Sequence, residues 1–162
     1  RTASVLLGTS GPLIAEDGGI VFDQSTDKEY LLGDSEELDR AIKILGNEFD
    51  DIQHTATSKT RRAGRTLERT FDAEEATEVL KDNGLEITAV DSGFAIHIRN
   101  PNVNKGKALK KTAELLNCPT SEIVVIGDAQ NDIEMLEEAG LSYTPANANP
   151  KAKEGILVDL KK

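Results

Sequence analysis

A second cysteine is missing from this sequence, and with it any internal disulfide or thiolate zinc cluster, because Cys118 stands alone among 162 residues. Its plain reading is a small buried residue packed behind a helix. Positive charge is also scarce. The 19 lysines and arginines face 29 acidic residues, a formal charge of -10, which repels phosphate backbones and anionic headgroups and argues against nucleic acid or a membrane surface as partner. No apolar run approaches the roughly 20 residues needed to span a bilayer, and the first residues lack a basic start followed by an apolar stretch. A soluble, cytoplasmic protein is the expectation. What is present, 38% hydrophobic residues in 17.5 kDa, suffices for one domain or two small ones. The acidic excess is spread along the chain, as on a solvated surface.

Between Gly11 and Asp23, the turn Glu16-Asp17-Gly18-Gly19 joins two short apolar runs and predicts two strands meeting tightly. From Asp34, the spacing of Leu38, Ile42 and Leu45 predicts a helix that Gly46 stops. Strand-like segments follow over 51–57 and 62–71. Asp72 with Glu75 has the form of a capping box for a second helix, ended at Asn83-Gly84. Two more strands, 85–90 and 94–99, meet at Asp91-Ser92-Gly93. After Pro101 come a helix from Asn104 to Leu116, the wholly apolar run Ile123-Val124-Val125-Ile126, and a helix from about Asn131 to Ala139. A run apolar on both faces suits a buried parallel strand. The expected architecture is therefore a partial, Rossmann-like α/β core over 1–33 and 101–162. Into it, over 34–100, is inserted an α+β module with a four-stranded antiparallel sheet and both helices on one face.

Chemistry concentrates in Gly127-Asp128-Ala129-Gln130-Asn131-Asp132, directly after the apolar strand and opening a helix. Ligands of open parallel sheets bind beyond the carboxyl ends of strands, where Asp128 falls, and two carboxylates on such a loop offer oxygen to a hard cation. The plainer alternative makes Asp128 a turn residue and Asn131 or Asp132 a helix cap. Asn104-Lys105-Gly106-Lys107 begins the preceding helix, where a lysine and the helix N-terminus together suit a phosphate. Lys107, Lys110 and Lys111 on the same helix read as solvated surface. In the inserted module, alternation turns Phe94, Ile96 and Ile98 toward the helices and His97 and Arg99 away; it places Arg62 on the open face too. A histidine and an arginine there suit an anionic substrate, although either also serves as an ordinary sheet residue.

Lys105 followed by Gly127-Asp128-Ala129-Gln130-Asn131-Asp132 resembles the third and fourth motifs of the haloacid dehalogenase superfamily. The module between looks like the smaller version of its type-two cap. Arg61-Arg62-Ala63-Gly64, Asp91 through His97 and Asn104-Lys105-Gly106 resemble the archaeal phosphoglycolate phosphatases within it, and the likeness runs from about Leu7 to Asn149. The resemblance implies a magnesium-dependent phosphomonoester hydrolase working through an aspartyl-phosphate, with a small phosphorylated substrate. By that carry-over Asp128 ligates the metal, and Asp132 supports the metal site and positions Lys105. Lys105 holds the phosphoryl group, Asn131 orients the loop, and Arg62 and His97 face the substrate from the cap. A sugar phosphate or phosphoglycerate derivative is the alternative substrate.

The sequence departs from the superfamily at its start. The superfamily opens with a strand ending in Asp-x-Asp and a later Ser or Thr motif, and neither occurs here; Asp23 and Asp34 do not stand in that form. The segment Lys151 through Ile156 also reads shorter than the usual strand and final helix. The expectation is a chain that omits residues ahead of Arg1 and near Glu154, is inactive by itself, and through its uncovered core favours a homodimer. A noncatalytic binding module is the competing class.

Overall fold

The computed structural model describes residues 2–154 and divides the chain into two units, Arg1–Tyr30 with Asn104–Lys162, and Leu31–Val103.

In the first unit, α1 (Thr2–Leu7) precedes a sheet of β1 (Leu13–Ala15), β2 (Ile20–Asp23) and β3 (Lys28–Leu31) in that order. β1 and β2 are antiparallel, with Ile14 opposite Val21. Their turn places both Glu16 and Asp17 at positive φ, and Gly18 follows at +99°. Gly18 is required there, since a Cβ would lie 2.2 Å from the backbone oxygen of Asn104.

In the second unit, Asp34 caps α2 (Ser35–Glu48) by accepting from the N–H groups of Glu36 and Glu37. Leu38, Ala41 and Leu45 on its inner face are buried. The helix passes through Gly46, the predicted stop, and ends at Phe49, whose N–H reaches the Leu45 carbonyl. Gly46 is exposed and touches nothing, so its only effect is a weaker helical preference. β4 (Gly64–Leu67), α3 (Ala73–Asp82), β5 (Thr88–Asp91) and β6 (Ile96–Arg99) follow. Asp72 caps α3, and Asn83-Gly84 ends it, with Gly84 at φ +74°.

The sheet is antiparallel in the order β4-β6-β5, so three strands stand where four were expected. Residues 51–57 contribute a single bridge, His54 to Leu67, and the bonds Thr55 N–H to Thr66 O and Glu68 N–H to Gln53 O. Side chains compete with the ladder there: buried Ser58 Oγ accepts the Thr66 N–H and bonds His54 Nδ1 at 2.9 Å. Leu38, Leu45, Leu67, Leu80, Ile87, Ile96 and Ile98 form one core between helices and sheet. Burial of each stabilises by about 1.5–3 kcal/mol. Phe94 does not join Ile96 and Ile98 there. It is 92% exposed, because the turn around Gly93 extends to Ala95 and strand alternation begins only at Ile96.

The first unit resumes with α4 (Lys105–Leu116), β7 (Val124–Ile126), α5 (Ile133–Glu138), β8 (Leu141–Tyr143) and α6 (Pro150–Glu154). A 3-10 turn over Gln130–Asp132 shortens the predicted last helix at its start. β7 pairs in parallel with β8. Val125 packs with Leu109, Leu136 and Ala152, but the expected burial of β7 on both faces is not met: Val124 is 57% and Ile126 74% exposed. β8 is the one sheet neighbour of β7 among the described residues. Cys118 is half-buried rather than enclosed. No helix of the described residues is long and apolar enough to cross a membrane. Lys151 to Glu154 lie in α6, while Gly155 and Ile156 fall outside the described residues.

Candidate active site

Asn104 starts the site. Its extended backbone and its side chain, which accepts the Lys107 N–H at 2.9 Å, cap α4 and fix Lys105 as the first helical residue. The Lys105 ammonium lies 2.6 Å from Asp132 Oδ1, a contact between residues 27 apart in sequence. The other oxygen, Oδ2, accepts the N–H groups of Asp128 at 2.9 Å and Ala129 at 3.0 Å. This closeness depends on Gly127, where a Cβ would stand 2.6 Å from the Asp132 Cβ.

Burial raises the carboxyl pKa of Asp132. The hydrogen bond from Lys105, those from the Ala129 and Asp128 backbones, and the lysine charge together outweigh it and hold the group below its ordinary value. Asp132 is thus an ionised partner for a cation, with its side chain only 8% exposed. Asp128, at the carboxyl end of β7, keeps an exposed side chain while its carbonyl accepts the Asn149 N–H. Asn131 Nδ2 donates to Asp17 Oδ1 at 3.2 Å.

Four of the residues singled out in the sequence, Lys105, Asp128, Asn131 and Asp132, therefore gather in the first unit. Asp17 joins them, although the sequence marked it only as part of a turn. No local signal reveals a contact across 114 positions. The other lysines of α4 sit at the surface, where Lys110 pairs with Glu138 and Lys111 with Glu114. Arg62 and His97 belong to the second unit. Arg62 is exposed in a bend before β4, outside the strand, so alternation does not fix its direction. His97 lies opposite Thr66 and Val90 on β6, and its Nε2 is 3.1 Å from Ser92 Oγ.

Magnesium takes near-octahedral oxygen ligation, commonly one or two carboxylates completed by waters and a phosphate. Asp128 fits the carboxylate part of such a shell. Asp132, with both oxygens engaged, fits a supporting place beside it. Among the described residues no group of three or more His, Cys, Asp or Glu side chains could enclose a metal.

Haloacid dehalogenase-like hydrolases match residues 13–156. The phosphoglycolate phosphatase of Archaeoglobus fulgidus is 37% identical over 158 residues, covering 95% of this chain and 67% of that protein. The phosphoglycolate phosphatase of Methanosarcina mazei is 37% identical over 154 residues, with the same two coverages. The chain thus spans about two thirds of these relatives' length. Among solved structures, a Thermoplasma acidophilum protein superposes with TM-score 0.79 at 25% identity, over 96% of this chain and 68% of that one. The sucrose-phosphatase of Synechocystis, at 18% identity and TM-score 0.62 over 95% of this chain and 67% of its own, shares the fold.

Proposed function

The chain belongs to the haloacid dehalogenase-like hydrolase family, and from that premise we propose that it is the lysine- and acid-bearing part of a magnesium-dependent phosphatase acting on 2-phosphoglycolate in the cytoplasm. The observation that carries this reading is the Lys105–Asp132 pair, held by two backbone N–H groups next to the exposed carboxylate of Asp128. An ammonium fixed at a helix start is suited to hold the phosphoryl group and to balance charge that grows on its oxygens. Asp132 keeps that ammonium in place. Asp128 would hold the metal, with Asp132 supporting it and Asn131 setting the loop. When bound, magnesium supplies Lewis-acid polarisation of the phosphoryl oxygens. Arg62 and His97 of the second unit are the residues we assign to recognition of an anionic group on the substrate.

An aspartyl-phosphate route needs a carboxylate to attack phosphorus as the bond to the glycolate oxygen breaks, and no Asp-x-Asp motif stands in this sequence. The competing reading is a binding module without chemistry. One sample separates the two: its intact mass, then magnesium-dependent phosphate release from 2-phosphoglycolate, with a sugar phosphate and phosphoglycerate as competitors. A mass above 17.5 kDa with release supports the phosphatase reading. A mass of 17.5 kDa without release overturns it for this polypeptide.

A further inference from the structure

The connection from β1 to β2 follows a costly path. Ala15 pairs with Ile20, and the residues left between them form a loop of a length usually built around a turn of negative φ. Glu16 and Asp17 stand instead at φ 52° and 58°, with Gly18 at +99°. Aspartate tolerates that region and glycine is at home there, but glutamate is not. A backbone held in this way costs free energy and persists where its surroundings over-determine it.

Those surroundings are the two segments of the candidate site. Buried Gly18 is pressed against the peptide that joins the cap of α4 to its first residue, since a Cβ there would crowd the Asn104 carbonyl and stand 2.8 Å from the Lys105 nitrogen. One residue earlier, Asp17 Oδ1 accepts the Asn131 Nδ2–H at 3.2 Å. The Lys105 ammonium and Asp132 Oδ1, 2.6 Å apart, join the same two segments directly. Neighbouring residues of one turn therefore touch both the start of α4 and the loop that carries Asp128.

We propose that Glu16-Asp17-Gly18 is a clamp that sets the Asp128 loop in register with Lys105, and that Asp17 is its positioning residue, acting through Asn131. Asn131 adjoins Asp132, whose Oδ2 accepts the N–H groups of Asp128 and Ala129. Holding Asn131 thus steadies the carboxylate that orders the loop. The clamp rests on the proposed function only in treating Lys105 and Asp128 as groups that act on a substrate.

The test is amide hydrogen exchange of the full chain, read at Asp128 and Ala129 and, for reference, at buried Leu109 and Ala113 within α4. Asp17→Gly removes the carboxylate and suits the positive φ. It is expected to speed exchange at Asp128 and Ala129 about tenfold, the scale of one lost hydrogen bond, and to leave the reference amides within about twofold. Asp17→Asn keeps an acceptor for Asn131 and is expected to exchange as the wild type does. Asn131→Ala deletes the same bond from the loop side, so adding it to Asp17→Gly should change little. Equal acceleration at the reference amides, or none at Asp128 and Ala129, overturns the clamp. So do additive effects of the two substitutions, or an Asp17→Asn variant as fast as Asp17→Gly. Where Asp17→Gly fails to fold, Asn131→Ala gives the same reading. In magnesium-dependent phosphate release, Asp17→Gly is expected to lower kcat about tenfold with KM within about twofold, and an unchanged kcat overturns the positioning role. A wild type without release would sink the proposed function and leave exchange to judge the clamp, whereas release with unaltered exchange would do the reverse.

Discussion

Asp132 spans two jobs with one carboxylate, meeting the Lys105 ammonium at 2.6 Å through Oδ1 and two backbone N–H groups through Oδ2. Neither oxygen is idle, so truncating this side chain strands a cation and two donors together. Asp132→Ala is expected to lower unfolding stability by about 2–3 kcal/mol, with Asp132→Asn losing less because it retains an acceptor. Urea denaturation at pH 7 measures both. A loss under half a kcal/mol for the alanine variant would show that the pair contributes little.

The same carboxylate predicts how stability depends on pH. Its folded pKa lies below the ordinary value of 3.8, so its contribution is fully present above that value. The contribution fades as pH falls through 3.8 and on through the lower folded value. Urea midpoints taken from pH 7 down to 3 should therefore drop more steeply for the wild type than for Asp132→Asn. Parallel slopes would assign the acid sensitivity to other carboxylates.

Gly127 and Gly46 should respond oppositely to the same substitution. Gly127→Ala drives a methyl group to within 2.6 Å of the Asp132 Cβ and is expected to destabilise by about 1–3 kcal/mol. Gly46→Ala, with nothing within 4 Å on an exposed helical turn, is expected to stabilise by about 0.5–1 kcal/mol. Thermal melts of the two variants decide this; melting temperatures that shift in the same direction would contradict it.

If the chain serves phosphoryl transfer as proposed, Lys105→Ala should lower kcat by about 10²–10³-fold, as loss of a transition-state donor does. Lys107→Ala, two positions on and at the surface, should leave kcat within about twofold, the scale of a distant surface change. Steady-state phosphate release measures both, and equal losses in the two variants would remove Lys105 from its special place.

Much of the candidate site could be read before the fold was known, because its parts are short-range patterns: an asparagine cap ahead of Lys105, and an apolar strand running into Gly127-Asp128. The helices were legible from the spacing of Leu38 and Leu45 and from the caps Asp34 and Asp72. What escaped depends on distant neighbours. Gly46 stays helical because the packing of Leu45 outweighs its preference. Residues 51–57 keep only one bridge because the Ser58 and Thr55 hydroxyls take up bonding near the ladder. Asp17 reaches Asn131 only after the turn folds, and no apolar pattern records whether β7 has a neighbour on each side.

The uncovered faces of Val124 and Ile126 bear on the order in which the protein loosens. The Leu31–Val103 unit closes an apolar core with its own residues, whereas the strand leading into Gly127 and Asp128 has, among the described residues, one sheet partner and two solvent-facing side chains. Amide protons of β7 should therefore exchange well before those of β6. The groups proposed for chemistry would then sit on the more yielding half, and the residues proposed to recognise an anionic group on the firmer one.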